Sequence, residues 1–198
     1  MQARTNDALV PPITLQELAD WLVVDVSDPI LQAVSISATD ATIQYLGYDL
    51  LEREWTFTAW DYPFSGTKSF PQVSRPTYIY DQLIALPYAN LLAVESVELF
   101  GQATSQFIER SDSIVLTNPK ILVQDYKGNT EPAIEVVYKA GYGQDPSDVP
   151  AVVRQSIVMA AAYLYEHRGD CAAGEALRKS GAAELLNPYI NPRRMAIA

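Results

Sequence analysis

The hydrophobic period of this chain changes twice along its length. Apolar residues recur at three- and four-residue steps before residue 52 and after residue 148. From 53 to 140 they fall instead in short β-branched runs broken by turn residues. A helix gathers i, i+3 and i+4 on one face, whereas a strand gathers i and i+2, so no single class of element accommodates the whole chain. In "REWTFTAW", Trp55, Phe57 and Ala59 alternate with Thr56 and Thr58, as a strand with one buried face requires. "DQLIALP", "LLAVESVELFG", "SQFIER", "SIVLTN", "KILVQDYKGN" and "AIEVVYKA" are further short runs. Runs this short, spaced by about ten residues, predict an antiparallel sheet or small barrel rather than alternating β and α units. The expected architecture is therefore α+β: a helical core of about four helices, with an antiparallel β-rich insertion between the second and third.

The helical parts carry their own punctuation. "TLQELADWL" starts a helix with Thr14 and Glu17 at capping-box spacing, and Leu15, Leu18, Ala19 and Leu22 on its apolar face. After "DVSDP", a second helix is predicted from Pro29 to Leu46, with Leu31, Val34, Ala38, Ala41 and Tyr45 as its stripe and Gly47 at its end. A third, from about Asp148 to Arg168, carries Val149, Val153, Ile157, Ala161 and Leu164, with Pro150 in its first turn and Gly169 ending it. At that length it would run about 30 Å. Asp170 is expected to cap a fourth, "CAAGEALRKSGAAELL". The segments are thus 1–12 as a flexible N-terminus, 13–52 as helices, 53–140 as the β-rich insertion, 141–187 as helices and 188–198 as an extended tail, since the Asn-Pro pairs of "NPYINPRR" disfavour continued helix.

Several functional classes are excluded or disfavoured by what the chain contains. Its one cysteine, Cys171, allows no intrachain disulfide and no thiolate metal cage, and its one histidine, His167, disfavours zinc sites and triads. No apolar run approaches the roughly 20 residues needed to cross a bilayer, and the N-terminus lacks a secretory core, so a soluble intracellular product is expected. The net charge is −10, with residues 1–150 at −12 and residues 151–198 at +2. An acidic body disfavours phosphate-neutralising nucleic-acid binding.

"AGYG", residues 140 to 143, invites comparison with a potassium filter or a phosphate cradle. The filter needs flanking membrane helices, and the cradle needs more glycines and a Lys, where this chain places Asp145 and Asp148. Gly141, Tyr142, Gly143 and Pro150 are read instead as a structural junction from strand to helix. Carboxylates near aromatics (Glu52, Glu54, Asp61, Glu95, Glu98) could serve glycoside hydrolysis, although acids beside strands more often solvate an edge. "YLYEHR" crowds Tyr163, Tyr165, His167 and Arg168 onto a helix end, residue types favoured where a surface meets another protein; an amphipathic rim is the plainer reading. "NPYINPRR" reads either as a docking tail or as a frayed terminus.

The block "VVYKAGYGQDPSDVPAVVRQSIVMAAAYLYEHR" resembles the head–tail connector, or adaptor, proteins of tailed bacteriophages, in the form with a β-rich insertion between helices. "ITLQELADWL", "REWTFTAW", "LPYANLLAVESVELFG" and "SGAAELLNPYINPRR" extend the resemblance over about residues 13 to 194. The sequence departs from it at Tyr88-Ala89-Asn90, where the family often has prolines, and over Gly66 to Ile79. The resemblance implies a structural virion protein of the neck, made in the host cytoplasm, with no enzymatic activity and no cofactor. It implies a ring, commonly of about twelve copies, that docks on the portal, extends the DNA channel and offers a surface to a tail or stopper protein. DNA would pass without sequence-specific contact, and no membrane is involved. On that reading Leu185, Leu186, Tyr189, Arg193 and Arg194 face the portal, and Arg154, Tyr165 and Arg168 contact neighbouring copies. The rivals are another tail-completion or stopper protein and a carboxylate-based carbohydrate hydrolase.

Overall fold

The computed structural model describes residues 2–60, 82–88, 90–117, 132–169 and 171–191. The fold is α+β, and it divides into two compact units. One comprises Met1–Asn6 and Arg53–Ala140, the other Asp7–Glu52 and Gly141–Ala198.

In the first unit, β1 (Gln2–Arg4), β2 (Arg53–Ala59), β8 (Ile134–Ala140), β4 (Leu91–Leu99) and β5 (Gln102–Ala103) form one antiparallel sheet in the order β1-β2-β8-β4-β5. A second, three-stranded sheet runs β3 (Gln82–Ala85), β7 (Ser113–Leu116), β6 (Phe107–Arg110). Alternation sends Trp55, Phe57 and Ala59 of β2 inward with Ile134, Val136, Tyr138 and Ala140 of β8. Ile84, Ile114 and Leu116 of the smaller sheet join the same apolar cluster. Tyr138 is fully buried, and its hydroxyl donates to the Pro87 carbonyl, which satisfies the one polar atom the ring carries inward. Trp55 stacks on Tyr88 with centroids 4.6 Å apart. The expected flexible N-terminus is corrected by β1: Gln2 to Arg4 pair with Thr58 to Thr56, and only a partner far along the chain makes them a strand. "KILVQDYKGN" and Gly66 to Ile79 lie outside the described residues.

The second unit holds the helices. α1 (Leu15–Leu22) begins with the expected reciprocal cap: Glu17 N–H donates to Thr14 Oγ1 at 3.0 Å, and Thr14 N–H donates to Glu17 Oε2 at 2.7 Å. Leu18 and Ala19 are buried, but Leu15 stands at the surface. α2 (Pro29–Leu46) is capped by Asp28, whose Oδ1 accepts from Ile30 N–H at 2.9 Å, and ends at Gly47 in the left-handed region. Its buried face is wider than the apolar stripe, because Ser35, Thr39 and Thr42 are also buried. Thr39 Oγ1 and Thr42 Oγ1 each donate to the carbonyl four residues back at 2.8 Å, so these short side chains pack as small apolar ones do.

α3 (Ala151–Glu166) is shorter than expected, about 24 Å. Pro150 stands before its first turn rather than within it, and Pro146–Asp148 forms a separate 3-10 turn. The expected fourth helix is two: α4 (Ala173–Lys179) and α5 (Ala182–Leu186), broken where Gly181 takes φ +78°. Ala172, not Asp170, precedes α4, and Asp170 lies outside the described residues. The tail does not become extended at 188, since Asn187–Tyr189 adds a 3-10 turn and Asn191 N–H then donates to the Leu46 carbonyl at 2.9 Å. Leu18, Leu31, Leu46, Leu50, Ile157, Leu177 and Leu186 fill the core between these helices.

Candidate interaction surfaces

The Gly-Tyr-Gly junction is built by two short antiparallel stretches within the helical unit. Tyr142 N–H donates to the Leu50 carbonyl at 2.9 Å, and Glu52 N–H donates to the Gly143 carbonyl at 2.8 Å. Just before these bonds Gly141 has φ +143°, and a Cβ there would lie 2.5 Å from the Leu51 carbonyl oxygen. Glycine is present because two backbones touch, not because a ligand is cradled. Gly143 faces Asp148, whose Oδ2 accepts from Asp145 N–H at 3.1 Å and so occupies the ground an anion would need.

Tyr142 does further work in that unit. Its hydroxyl lies 2.9 Å from the Tyr48 hydroxyl, which donates to the Tyr189 carbonyl at 2.6 Å. Burial pushes the Tyr48 hydroxyl far above the ordinary tyrosine range, and burial raises Tyr142 as well. Both therefore stay protonated, as uncharged pins on the C-terminal turn. Tyr45 adds a third, its hydroxyl donating to Asn187 Oδ1 at 2.8 Å.

The residues expected at a ring contact already have partners within the chain. Arg154 Nη1 lies 3.9 Å from Glu17 Oε1. Tyr165 donates its hydroxyl proton to Asp28 Oδ2 at 2.6 Å, and Arg168 lies over the Tyr165 ring at 4.1 Å with Nη2 4.0 Å from the same carboxylate. Arg154 and Tyr165 reach from α3, and Arg168 from the turn after it, to the segment holding α1 and the start of α2. The Tyr165 hydroxyl is the main cause of a lowered Asp28 pKa, with the Ile30 N–H adding to it. A carboxylate lowered in the folded state stabilises the fold above its unfolded pKa, ordinarily 3.8, and that contribution fades as pH falls through the folded value. Tyr165→Phe is accordingly expected to move the Asp28 titration upward in a carboxyl-carbon NMR experiment; an unmoved midpoint would remove the Tyr165–Asp28 bond from this account.

The other candidates separate cleanly. His167 stacks on Tyr163 at 4.0 Å, with Nδ1 3.1 Å from the Tyr163 carbonyl, an arrangement internal to the end of α3. On α5, Leu185 is exposed, whereas Leu186 is fully buried in the core. This corrects its assignment to a docking face: the helix turns by about 100° per residue, so neighbours cannot share one side. Tyr189 is half-buried against the helical core, and Arg193 and Arg194 lie outside the described residues. Among the carboxylates, Glu95 Oε1 is held by Lys139 Nζ at 2.8 Å, Glu52 accepts from Gln144 at 3.3 Å, and Asp61 lies outside the described residues. Among the described residues no three His, Cys, Asp or Glu side chains gather as metal ligands, and no helix is long and apolar enough to cross a membrane.

Sequence reasoning missed one surface. Trp21, Val23 and Val26 are exposed within six positions at the corner between α1 and α2. The signal was present in "DWLVVDV", where apolar residues continue past the helix without a stripe to bury them.

No protein-family model and no curated protein matches this chain. Solved structures do. A chain from the neck of an empty gene transfer agent particle, computed with C6 symmetry, superposes with a TM-score of 0.63 at 16% identity, covering 91% of this chain and 95% of that one. A chain from the neck of the native particle, computed with C12 symmetry, gives 0.62 at 18%, covering 91% and 94%. A chain from the native virion gives 0.59 at 18%, covering 90% and 94%. At these identities the likeness is one of fold, and it extends over nearly the whole of both chains.

Proposed function

We propose that this chain is a structural neck protein of a phage-like particle: a head–tail connector whose copies close into a ring, dock on the portal, extend the DNA channel and offer a surface to a tail or stopper protein. The observation that carries this reading is the whole-length fold likeness to chains from the neck of a gene transfer agent particle, one of them in a C12 assembly. That likeness supports twelve copies, a place in the virion neck and a structural role. The acidic body supports the channel, because a ring lined with negative charge lets DNA pass without sticking.

In this reading the C-terminal end meets the portal through Leu185, Tyr189, Arg193 and Arg194. Leu186 acts from beneath, fixing α5 to the core so that Leu185 faces outward. Arg154, Tyr165 and Arg168 belong to the ring contact by holding α1 and the start of α2 in place.

The test is native mass, measured for the chain alone and then co-expressed with the portal protein of the same genome. The expected result is a defined complex with one copy of this chain per portal subunit. A monomer that ignores the portal overturns the connector reading. Arg193→Glu with Arg194→Glu is expected to weaken portal capture; unchanged capture would remove the tail from the docking surface.

A further inference from the structure

We infer that the α1–α2 corner, with Trp21, Val23 and Val26 at its tip, is the surface by which one copy of this chain meets the basic end of α4 in the next copy. The inference rests on the connector reading, and it names the ring contact that reading leaves open.

The first ground is a residue in the wrong conformation for its type. Val23 closes α1 with φ 56° and ψ 48°, its N–H donating to the Ala19 carbonyl. A β-branched side chain in the left-handed region is strained, and helices end there most readily on glycine. This chain follows that preference at Gly47, φ +84°, and keeps glycine at φ +83° just past α3, at Gly169. At the end of α1 it keeps valine, 90% exposed, where the side chain packs on nothing that would offset the strain. Trp21 beside it is 53% exposed. Tryptophan in that position is the residue type most often found at the energetic centre of a protein interface.

The second ground is charge. Residues 7–52 contain eight Asp or Glu and no Lys or Arg, and Asp20 and Asp25 bracket the exposed Trp21 and Val23. The complementary surface lies on a different helix of the same unit. Arg178 and Lys179 are exposed at the end of α4, where Lys179 Nζ lies 2.9 Å from Glu175 Oε1 one turn earlier and Arg178 stands beside it. A ring joins unlike surfaces head to tail, so each copy must present both an acidic apolar face and its basic complement. A twofold dimer would set the acidic corner against itself, at a cost in repulsion.

The third ground is support. Glu17 and Asp28, which flank the corner, are the acids engaged by Arg154 and Tyr165 of α3 and by Arg168 in the turn after it. The corner is thereby pinned in position from both sides, as a contact surface needs to be.

The experiment measures self-association of the full-length chain, alone and on the portal, by sedimentation and native mass over a range of concentrations. Trp21→Ala is expected to raise the concentration needed for ring formation by at least about thirtyfold. Val23→Gly is expected to separate two readouts, raising or preserving the thermal midpoint of the dissociated chain while weakening the ring. Asp20→Lys with Asp25→Lys, and separately Arg178→Glu with Lys179→Glu, should each weaken the ring at least about tenfold, and combining all four should restore it. Rings that form equally well in Trp21→Ala and in both charge reversals overturn the inference and leave the connector reading standing. So does intact ring formation with loss only of portal or tail capture, which would assign the corner to another protein. A wild-type chain that never assembles, alone or on the portal, overturns both.

Discussion

Gly141→Ala is expected to lower the free energy of unfolding by about 3 kcal/mol or more, from strain in the backbone and from overpacking together. The added Cβ would stand 2.5 Å from the Leu51 carbonyl oxygen, 2.6 Å from its carbon and 2.7 Å from Glu52 N. None of these is a side chain that can rotate away. They belong to the stretch fixed by the Tyr142–Leu50 and Glu52–Gly143 hydrogen bonds, so relief requires breaking that pairing. The φ of +143° adds strain whatever room is made. Gly143→Ala is the internal control. Its Cβ would meet Asp148 Oδ2 at 2.1 Å, but that carboxylate can swing aside at the loss of one exposed bond from Asp145 N–H. Gly143 also has a positive φ, +158°, so the cost of its substitution should be smaller than that of Gly141→Ala without vanishing, and Gly143→Ala with Asp148→Ala should recover part of it. Urea unfolding of the three variants gives the ordering. Equal midpoints for Gly141→Ala and Gly143→Ala would show that the backbones at residues 51 and 141 do not approach closely.

That glycine pair illustrates what a sequence discloses and what it withholds. "AGYG" marks a turn because glycine is permissive, and the acids after it already exclude a phosphate. The reason for glycine at 141 is a carbonyl ninety positions earlier, which no local pattern contains. The same divide runs through the fold. The Thr14–Glu17 cap, the bounds of α2 and the alternation in β2 depend on neighbours within four residues, and they are legible. β1 is three residues, Gln-Ala-Arg, with no period at all, and its strand character comes wholly from β2. The breadth of the buried face of α2 was hidden for a different reason. Ser35, Thr39 and Thr42 read as polar, yet the two threonine hydroxyls are satisfied by the carbonyls four residues back, which lets them enter the core. The Val23 corner was overlooked because a stripe search counts residues that can be buried, and these cannot.

Leu186→Ala should destabilise the helical unit by about 2–5 kcal/mol, while Leu185→Ala should change stability by less than about 0.5 kcal/mol. The adjacent leucines differ only in which way a five-residue helix turns them. Leu186 is fully buried and packs in the cluster with Leu46, Ile157 and Leu177, so removing its methyls leaves a cavity that a short helix on one side can only partly close. Leu185 is 41% exposed and loses little packing when shortened. Their order should reverse in portal capture measured at a temperature where both variants are folded. Leu185→Ala should then bind more weakly, by an amount set by how deeply the portal covers it. Leu186→Ala should bind in proportion to its folded fraction and no worse. If instead Leu185→Ala captures the portal as wild type does, α5 is a strut for the Asn187–Tyr189 turn, and the docking surface begins only at Tyr189. The tyrosine pins then become the decisive contacts, because Tyr48 and Tyr45 are what fix that turn to α2. Tyr48→Phe, which removes the hydrogen bond to the Tyr189 carbonyl while keeping the ring, would in that case weaken capture without unfolding the core.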